Sequence, residues 1–201
     1  NIACLLKTLS PDLSDIESGD FVCIRRANDI SQEKGFISSP VVNVHEDESG
    51  THHAKDALDL LQTANDIDFD IFSSALKLNT QYMHTIRFNI VLNGMHRMDD
   101  ILQRFERNKF IALTEKKDSG RIFSFGRDHG YYGRILNQTI IVEPTLSVKE
   151  RGNKTHIIGF CFTPQDGNSL LSTVAATLYY FYGDEYEDRM MLFDKYLFQE
   201  I

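Results

Sequence analysis

The segment from Met83 to Leu92 alternates, with Ile86, Phe88 and Ile90 on one face and Thr85, Arg87 and Asn89 on the other. A side-chain period of two marks a β-strand with one face on a core and the other toward water. Such a strand commits the chain to a sheet that helices cover from one side. Helical patterns are present to supply that cover. Ile2, Leu5, Leu6 and Leu9 fall on one face of a segment from Asn1 to Leu9, with Asn1 as its expected cap and Pro11 beyond its end. Ala57, Leu58 and Leu61 have the same spacing within Ala54 to Leu61, and Met98, Ile101, Leu102 and Phe105 within Arg97 to Arg107. Further strands are expected over Asp20–Arg26, Val41–Val44, Ile67–Leu78, Phe110–Leu113, Thr139–Val142 and His156–Phe162, and helices over Ser119–Gly126, Asn168–Phe181 and Glu185–Phe198. The stretch Ala27 to Pro40 reads as a polar loop. This order predicts an α+β fold: a mixed, largely antiparallel sheet covered on one face by helices, in a single domain over residues 1–201 with a helical C-terminus.

The composition sets outer limits on function. The chain has 201 residues, 42% of them hydrophobic, enough for a sizeable core. Its apolar runs are only a few residues long, against roughly 20 for a bilayer span, and the N-terminus lacks the pattern of a signal peptide. A cytoplasmic protein without membrane association is expected. A net charge of −8 with scattered basic residues argues against nucleic-acid binding. Cys4, Cys23 and Cys161 form no Cys-x-x-Cys, and no His-x-x-x-His or Glu-x-x-His occurs where histidines cluster, so no metal site is expected. Neither Gly-x-Gly-x-x-Gly nor Gly-x-Ser-x-Gly is present.

A few polar clusters remain as candidates for chemistry. Arg25 and Arg26 close an apolar strand, where two planar guanidinium groups can clamp a phosphate or simply face solvent. His52 and His53 follow a Ser-Gly turn; paired histidines can bind anions, relay protons or sit on the surface. His84 begins the alternating strand, a position suited to a base at a cleft or to a hydrogen-bonded edge residue.

The order of these clusters resembles that of the archaeal-type (type II) glyceraldehyde-3-phosphate dehydrogenases, from just after the family's nucleophile onward. In that family Cys-Asn-Thr-Thr opens a helix, and here Asn1-Ile2-Ala3 matches the residues after the cysteine. Ile-Arg-Arg corresponds to Ile24-Arg25-Arg26, followed by Ala27 and Asp29, and Lys-Gly-Pro to Lys34-Gly35-Phe36. Ser-His-His-Gly-Pro-Asp corresponds to Thr51-His52-His53-Ala54-Lys55-Asp56, and Pro-Thr-Thr-Leu-Met-His to Asn79-Thr80-Gln81-Tyr82-Met83-His84. Asp-Val-Phe-Glu resembles the stretch from Asp100-Ile101 to Phe105-Glu106, and Ala-Arg-Asp-Leu-Gly resembles Gly126-Arg127-Asp128-His129-Gly130.

The resemblance implies the catalytic half of an oxidoreductase that acts on a phosphorylated aldehyde with NAD or NADP and inorganic phosphate, assembles as a homo-oligomer and serves glycolysis. It implies His84 as the catalytic histidine, Arg25, Arg26, His52 and His53 as ligands of phosphate groups, and Asn1 beside the cofactor. The family's nucleophilic cysteine falls at the position before Asn1, and Cys4 lies about one helical turn further on. No nucleotide-binding domain is recognisable, so the isolated chain is expected to bind no cofactor and to be inactive. The alternative is a non-catalytic relative that binds a phosphorylated ligand or serves in association.

Overall fold

A computed structural model of the chain describes residues 1–26, 37–64, 66, 69–80, 83–129 and 138–201, with the backbone alone described for 165–169. Of the expected loop from Ala27 to Pro40, positions 27–36 lie outside the described residues, as do Gln81, Tyr82 and Gly130 of the resembling motifs.

The strands are β1 (Ile16–Arg26), β2 (Val41–Val42), β3 (Asp70–Leu78), β4 (His84–Asn93), β5 (Ile111–Thr114), β6 (Thr139–Val142), β7 (Ser147–Arg151) and β8 (Lys154–Thr163). The helices are α1 (Ile2–Leu9), α2 (His52–Gln62), α3 (Met98–Arg107), α4 (Ser119–Asp128), α5 (Gln165–Tyr182) and the short α6 (Tyr186–Met190), with 3-10 turns around α6. The strands form one sheet in the order β2-β3-β1-β4-β8-β6-β5, with β7 hairpinned onto β8. All pairs are antiparallel except β1 with β3 and β5 with β6. The expected α+β architecture with a mixed, largely antiparallel sheet is the one observed.

The alternation in β4 does what a period of two predicts. Ile86, Phe88, Ile90 and Leu92 are buried, while Thr85, Arg87 and Asn89 are only partly covered. Cross-strand register extends this inner face sideways. Phe21 of β1 lies opposite Phe88, which lies opposite Gly159 of β8; Cys23, Ile86 and Cys161 form the next row. α1, α2 and α3 close over that face with Leu5, Leu6, Leu9, Ala54, Leu61, Ile101 and Phe105.

The far end of the sheet is different. Every residue of β5 and β6 is buried. A second cluster, with Ile122 of α4, Phe162 and the terminal Ile201, covers the opposite face there. Unbroken apolar strands in parallel pairing need cover on both sides. The last residues also shield the β5 edge: Leu113 N–H donates to the Gln199 carbonyl at 2.9 Å, and Ile201 N–H to the Leu113 carbonyl at 2.9 Å.

The segment 147–151, to which the sequence pattern assigns no element, is a strand that completes a hairpin with β8. The expected last helix over 185–198 is broken into α6 and a 3-10 turn from Met191 to Tyr196.

The loop before α2 is stitched to β3. Ser73 N–H donates to the Ser49 carbonyl at 2.9 Å, and Thr51 N–H to the Ser73 carbonyl at 2.8 Å. Gly50 takes a φ of +88° there, and a Cβ on it would stand 2.1 Å from the Ser73 carbonyl oxygen. Only glycine meets both demands. Gly50→Ala is therefore expected to lower stability by about 2 kcal/mol or more, read from the midpoint of urea unfolding.

Candidate functional site

The inner face of the sheet ends in a polar row. Ile24 pairs with Thr85 at the end of the β1/β4 ladder, and His84 pairs with Thr163 across β4/β8. With side chains alternating along each strand, Arg25, His84 and Thr163 follow Cys23, Ile86 and Cys161 on the helix-covered side. Arg25, His84 and Thr163 line one cavity of about 270 Å³, together with His53, Asp56, Ala57 and Leu60 of α2 and Asn1, Ile2 and Ala3 at the start of α1.

Four of the six residues singled out from the sequence thus meet in one place: Arg25, His53, His84 and Asn1. Arg26 contributes through its backbone, whose N–H donates to His84 Nδ1 at 2.9 Å. Because Nδ1 accepts this bond, the neutral His84 ring carries its proton on Nε2. His52 stands behind His53, ring stacked on ring with centroids 4.1 Å apart, and its Nδ1 lies 3.7 Å from Glu46 Oε1. Asn1 Oδ1 accepts from the Thr139 hydroxyl at 2.6 Å, so its side chain does not cap α1 as expected.

The placement of His53 follows from how α2 begins. Thr51 is the N-cap residue, yet its hydroxyl makes no cap bond to its own helix. It lies 3.0 Å from His53 Nδ1 and 2.8 Å from the Ser73 hydroxyl. Ser73, fully buried in the middle of β3, takes over the capping by accepting from Ala54 N–H at 3.0 Å. With that N–H satisfied from outside, the helix starts at His52, two residues before the Ala54 expected from spacing.

The electrostatics favour neutral histidines. His84 is pushed down from 6.5 to about 4, chiefly by burial and then by the charges of Arg26 and Arg25. His53 is also pushed down to about 4, by burial first, then by His52 and Arg25, with Asp56 opposing. None of the three cysteines is set up as a thiolate. Burial raises Cys4, lifts Cys23 to about 11 and lifts Cys161 to about 12. Cys4 lines an adjoining, mainly apolar cavity of about 570 Å³ between α1, α2 and α5, with Asn1, Ala3 and Leu60 common to both.

The geometry can hold an anion against the Arg25 guanidinium and the N-terminal turn of α2, and offers it one neutral imidazole N–H from His84. Sequence reasoning passed over Thr163, Thr51 and Ser73. Thr163 is legible only once β8 is paired with β4. Ser73 reads as an ordinary polar residue in an alternating strand, although its alternation places it inside. Among the described residues no cluster of three or more metal-ligating side chains occurs, and no helix is long and apolar enough to cross a membrane.

No family model matches the chain. It is 25% identical to the glyceraldehyde-3-phosphate dehydrogenase of Methanocaldococcus jannaschii over 143 residues, 69% of this chain and 40% of that protein. It is 30% identical to the glyceraldehyde-3-phosphate dehydrogenase of Picrophilus torridus over 122 residues, 59% of this chain and 33% of that protein. The matches span well under half the length of either relative. The chain is thus related, at a distance, to archaeal glyceraldehyde-3-phosphate dehydrogenases.

Proposed function

We propose that the chain is the catalytic domain of a cytoplasmic glyceraldehyde-3-phosphate dehydrogenase-like oxidoreductase. Its substrates would be a phosphorylated aldehyde and inorganic phosphate, with NAD or NADP as cofactor. The observation that carries this reading is the convergence of Arg25, His53 and His84, three polar residues distant in sequence, on one cavity. Arg25 binds a phosphate oxygen as a charged donor. His84 keeps its proton on Nε2 and donates a hydrogen bond from it to the oxygen of the reacting carbonyl. Thr163 and Arg26 keep that ring in place, the first by packing at the end of the same row and the second by its backbone N–H. Bound NAD or NADP supplies hydride acceptance. Of this chain's residues, Asn1, which lines the cavity and accepts from Thr139, would lie beside it, and no glycine-rich nucleotide loop is present in the sequence. Because Cys4, Cys23 and Cys161 are all held as thiols, the chain alone is expected to show no aldehyde oxidation.

The outer face of the sheet supports a second property, self-association. Val22, Ile24, Phe72 and Leu76 lie on it half-covered, Phe160 is 37% exposed, and Val42 beside them is 79% exposed. Ile24, Leu76 and Val42 form one apolar row, while Arg87, paired with Asp20, stands between Val22 and Phe160; apolar rows with a charged neighbour of this kind suit an interface. We propose that copies of the chain pair through it.

Inorganic phosphate titrated calorimetrically into the chain should bind, and Arg25→Ala should weaken it roughly tenfold; unchanged affinity would remove the anion site. Sedimentation should give a mass above one chain, and a Phe160→Lys variant that still sediments as the parent does would move the interface elsewhere. The neutral histidines also set a pH dependence. Their folded pKa of about 4 lies below the ordinary 6.5, so between those values the unfolded chain binds more protons. Their contribution to stability is complete above 6.5 and is lost as pH falls toward 4. Melting temperature should therefore drop across that window, and His84→Gln should flatten the drop.

A further inference from the structure

The hydrogen bonds beneath His53 have a direction. The Ser73 hydroxyl lies 3.0 Å from the Thr51 carbonyl oxygen, which can only accept, so Ser73 donates there. Its oxygen is then left to accept, from Ala54 N–H at 3.0 Å and from the Thr51 hydroxyl at 2.8 Å. With its one proton spent on Ser73, Thr51 Oγ1 must accept from His53 Nδ1 at 3.0 Å. The reverse direction makes one buried hydrogen bond fewer, because the Thr51 carbonyl then keeps only the Ala54 N–H at 3.2 Å, and Thr51 and Ser73 are both 0% exposed. His53 therefore carries its proton on Nδ1, and Nε2 is a bare lone pair. His84 is the opposite case, with Nδ1 accepting from Arg26 N–H and the proton on Nε2.

We propose that this Ser73–Thr51 relay makes His53 Nε2 an acceptor that selects a hydrogen-bearing phosphate: inorganic phosphate donates its P–OH to His53 Nε2 while Arg25 and His84 Nε2–H bind its other oxygens. The proposal rests on the anion-site reading above and sharpens it, because His53 then recognises a proton and adds no charge. Thr51 and Ser73 are positioning residues that act through the ring. At pH 8 inorganic phosphate keeps one proton, whereas sulfate has none and a phosphomonoester, with a second pKa near 6, has lost its own. Anions without a donor leave the lone pair facing an anion oxygen in a half-buried pocket, and that is costly.

The test uses the full chain at pH 8. Long-range proton–nitrogen correlation spectra on nitrogen-15-labelled protein report which nitrogen of His53 is protonated. Calorimetry with inorganic phosphate, sulfate and glycerol 3-phosphate reports selectivity. The expected result is an Nδ1–H tautomer, with phosphate bound about tenfold more tightly than the other two. Thr51→Val should bring phosphate and sulfate within about twofold, and Thr51→Ser should restore the difference. An Nε2–H tautomer in the unsubstituted protein overturns the proposal, and this measurement stands even if Thr51→Val does not fold. Equal binding of phosphate and sulfate also overturns it, while leaving the anion site intact. Binding of no anion, with the tautomer as expected, removes the anion site and the selectivity together.

Discussion

The register between β1, β4 and β8 is the constraint on which the site depends. Because His84 is paired with Thr163, and Thr85 with Ile24, the last inward positions of three strands fall in one row. A shift of one residue in β4 would turn His84 outward and bury Thr85, Arg87 and Asn89 among the helices. The apolar rows behind the site forbid that shift, since it would turn Ile86 and Phe88 out of the core and set polar residues between Phe21, Cys23 and Cys161. The same packing that stabilises the domain thus aims its polar residues. The bond from Arg26 N–H to His84 Nδ1 belongs to this constraint. It stands where the antiparallel ladder runs out, so a backbone donor that would otherwise be lost fixes a side chain instead.

Two histidines held neutral beside an arginine are a consistent electrostatic choice. Had His53 and His84 been charged, the pocket would have gathered three cations and the start of α2 against Asp56 alone. Burial and Arg25 push the ring protons off, leaving one formal positive charge from the sheet and neutral hydrogen-bonding atoms around it. Such a pocket carries a single guanidinium charge that an anion would match. Asp56 lies at its exposed rim, where water screens its repulsion.

Much of the architecture is legible in the sequence because the inner strands and the covering helices each obey one period. Ile86, Phe88 and Ile90 give β4, and Ile101 with Phe105 gives α3. β7 is not legible in this way: its residues are polar and its existence depends on β8 beside it. The start of α2 is illegible for a similar reason, since its cap is Ser73, 19 residues beyond Ala54. The candidate site is legible as separate fragments, Arg25-Arg26, His52-His53 and His84, each common on protein surfaces. What sequence spacing does not contain is the division within each pair. Arg25 faces the cavity while Arg26 offers its backbone, and His53 lines it while His52 only stacks behind. Strand alternation separates the two arginines, and helical rotation separates the two histidines.

The cysteines show which chemistry the described pocket supports. Cys23 lines the cavity and sits one row behind Arg25, yet burial holds it as a thiol. Cys161 lies in the same row and is held more strongly still, and Cys4 faces a different cavity. Activating any of them would require water or positive charge inside the core, at the expense of the rows that set the register. Sulfur here packs and does not attack. The pocket this chain builds therefore presents the charge of Arg25 and the atoms of two neutral imidazoles, and its wall at the α1 end is formed by Asn1, Ile2 and Ala3.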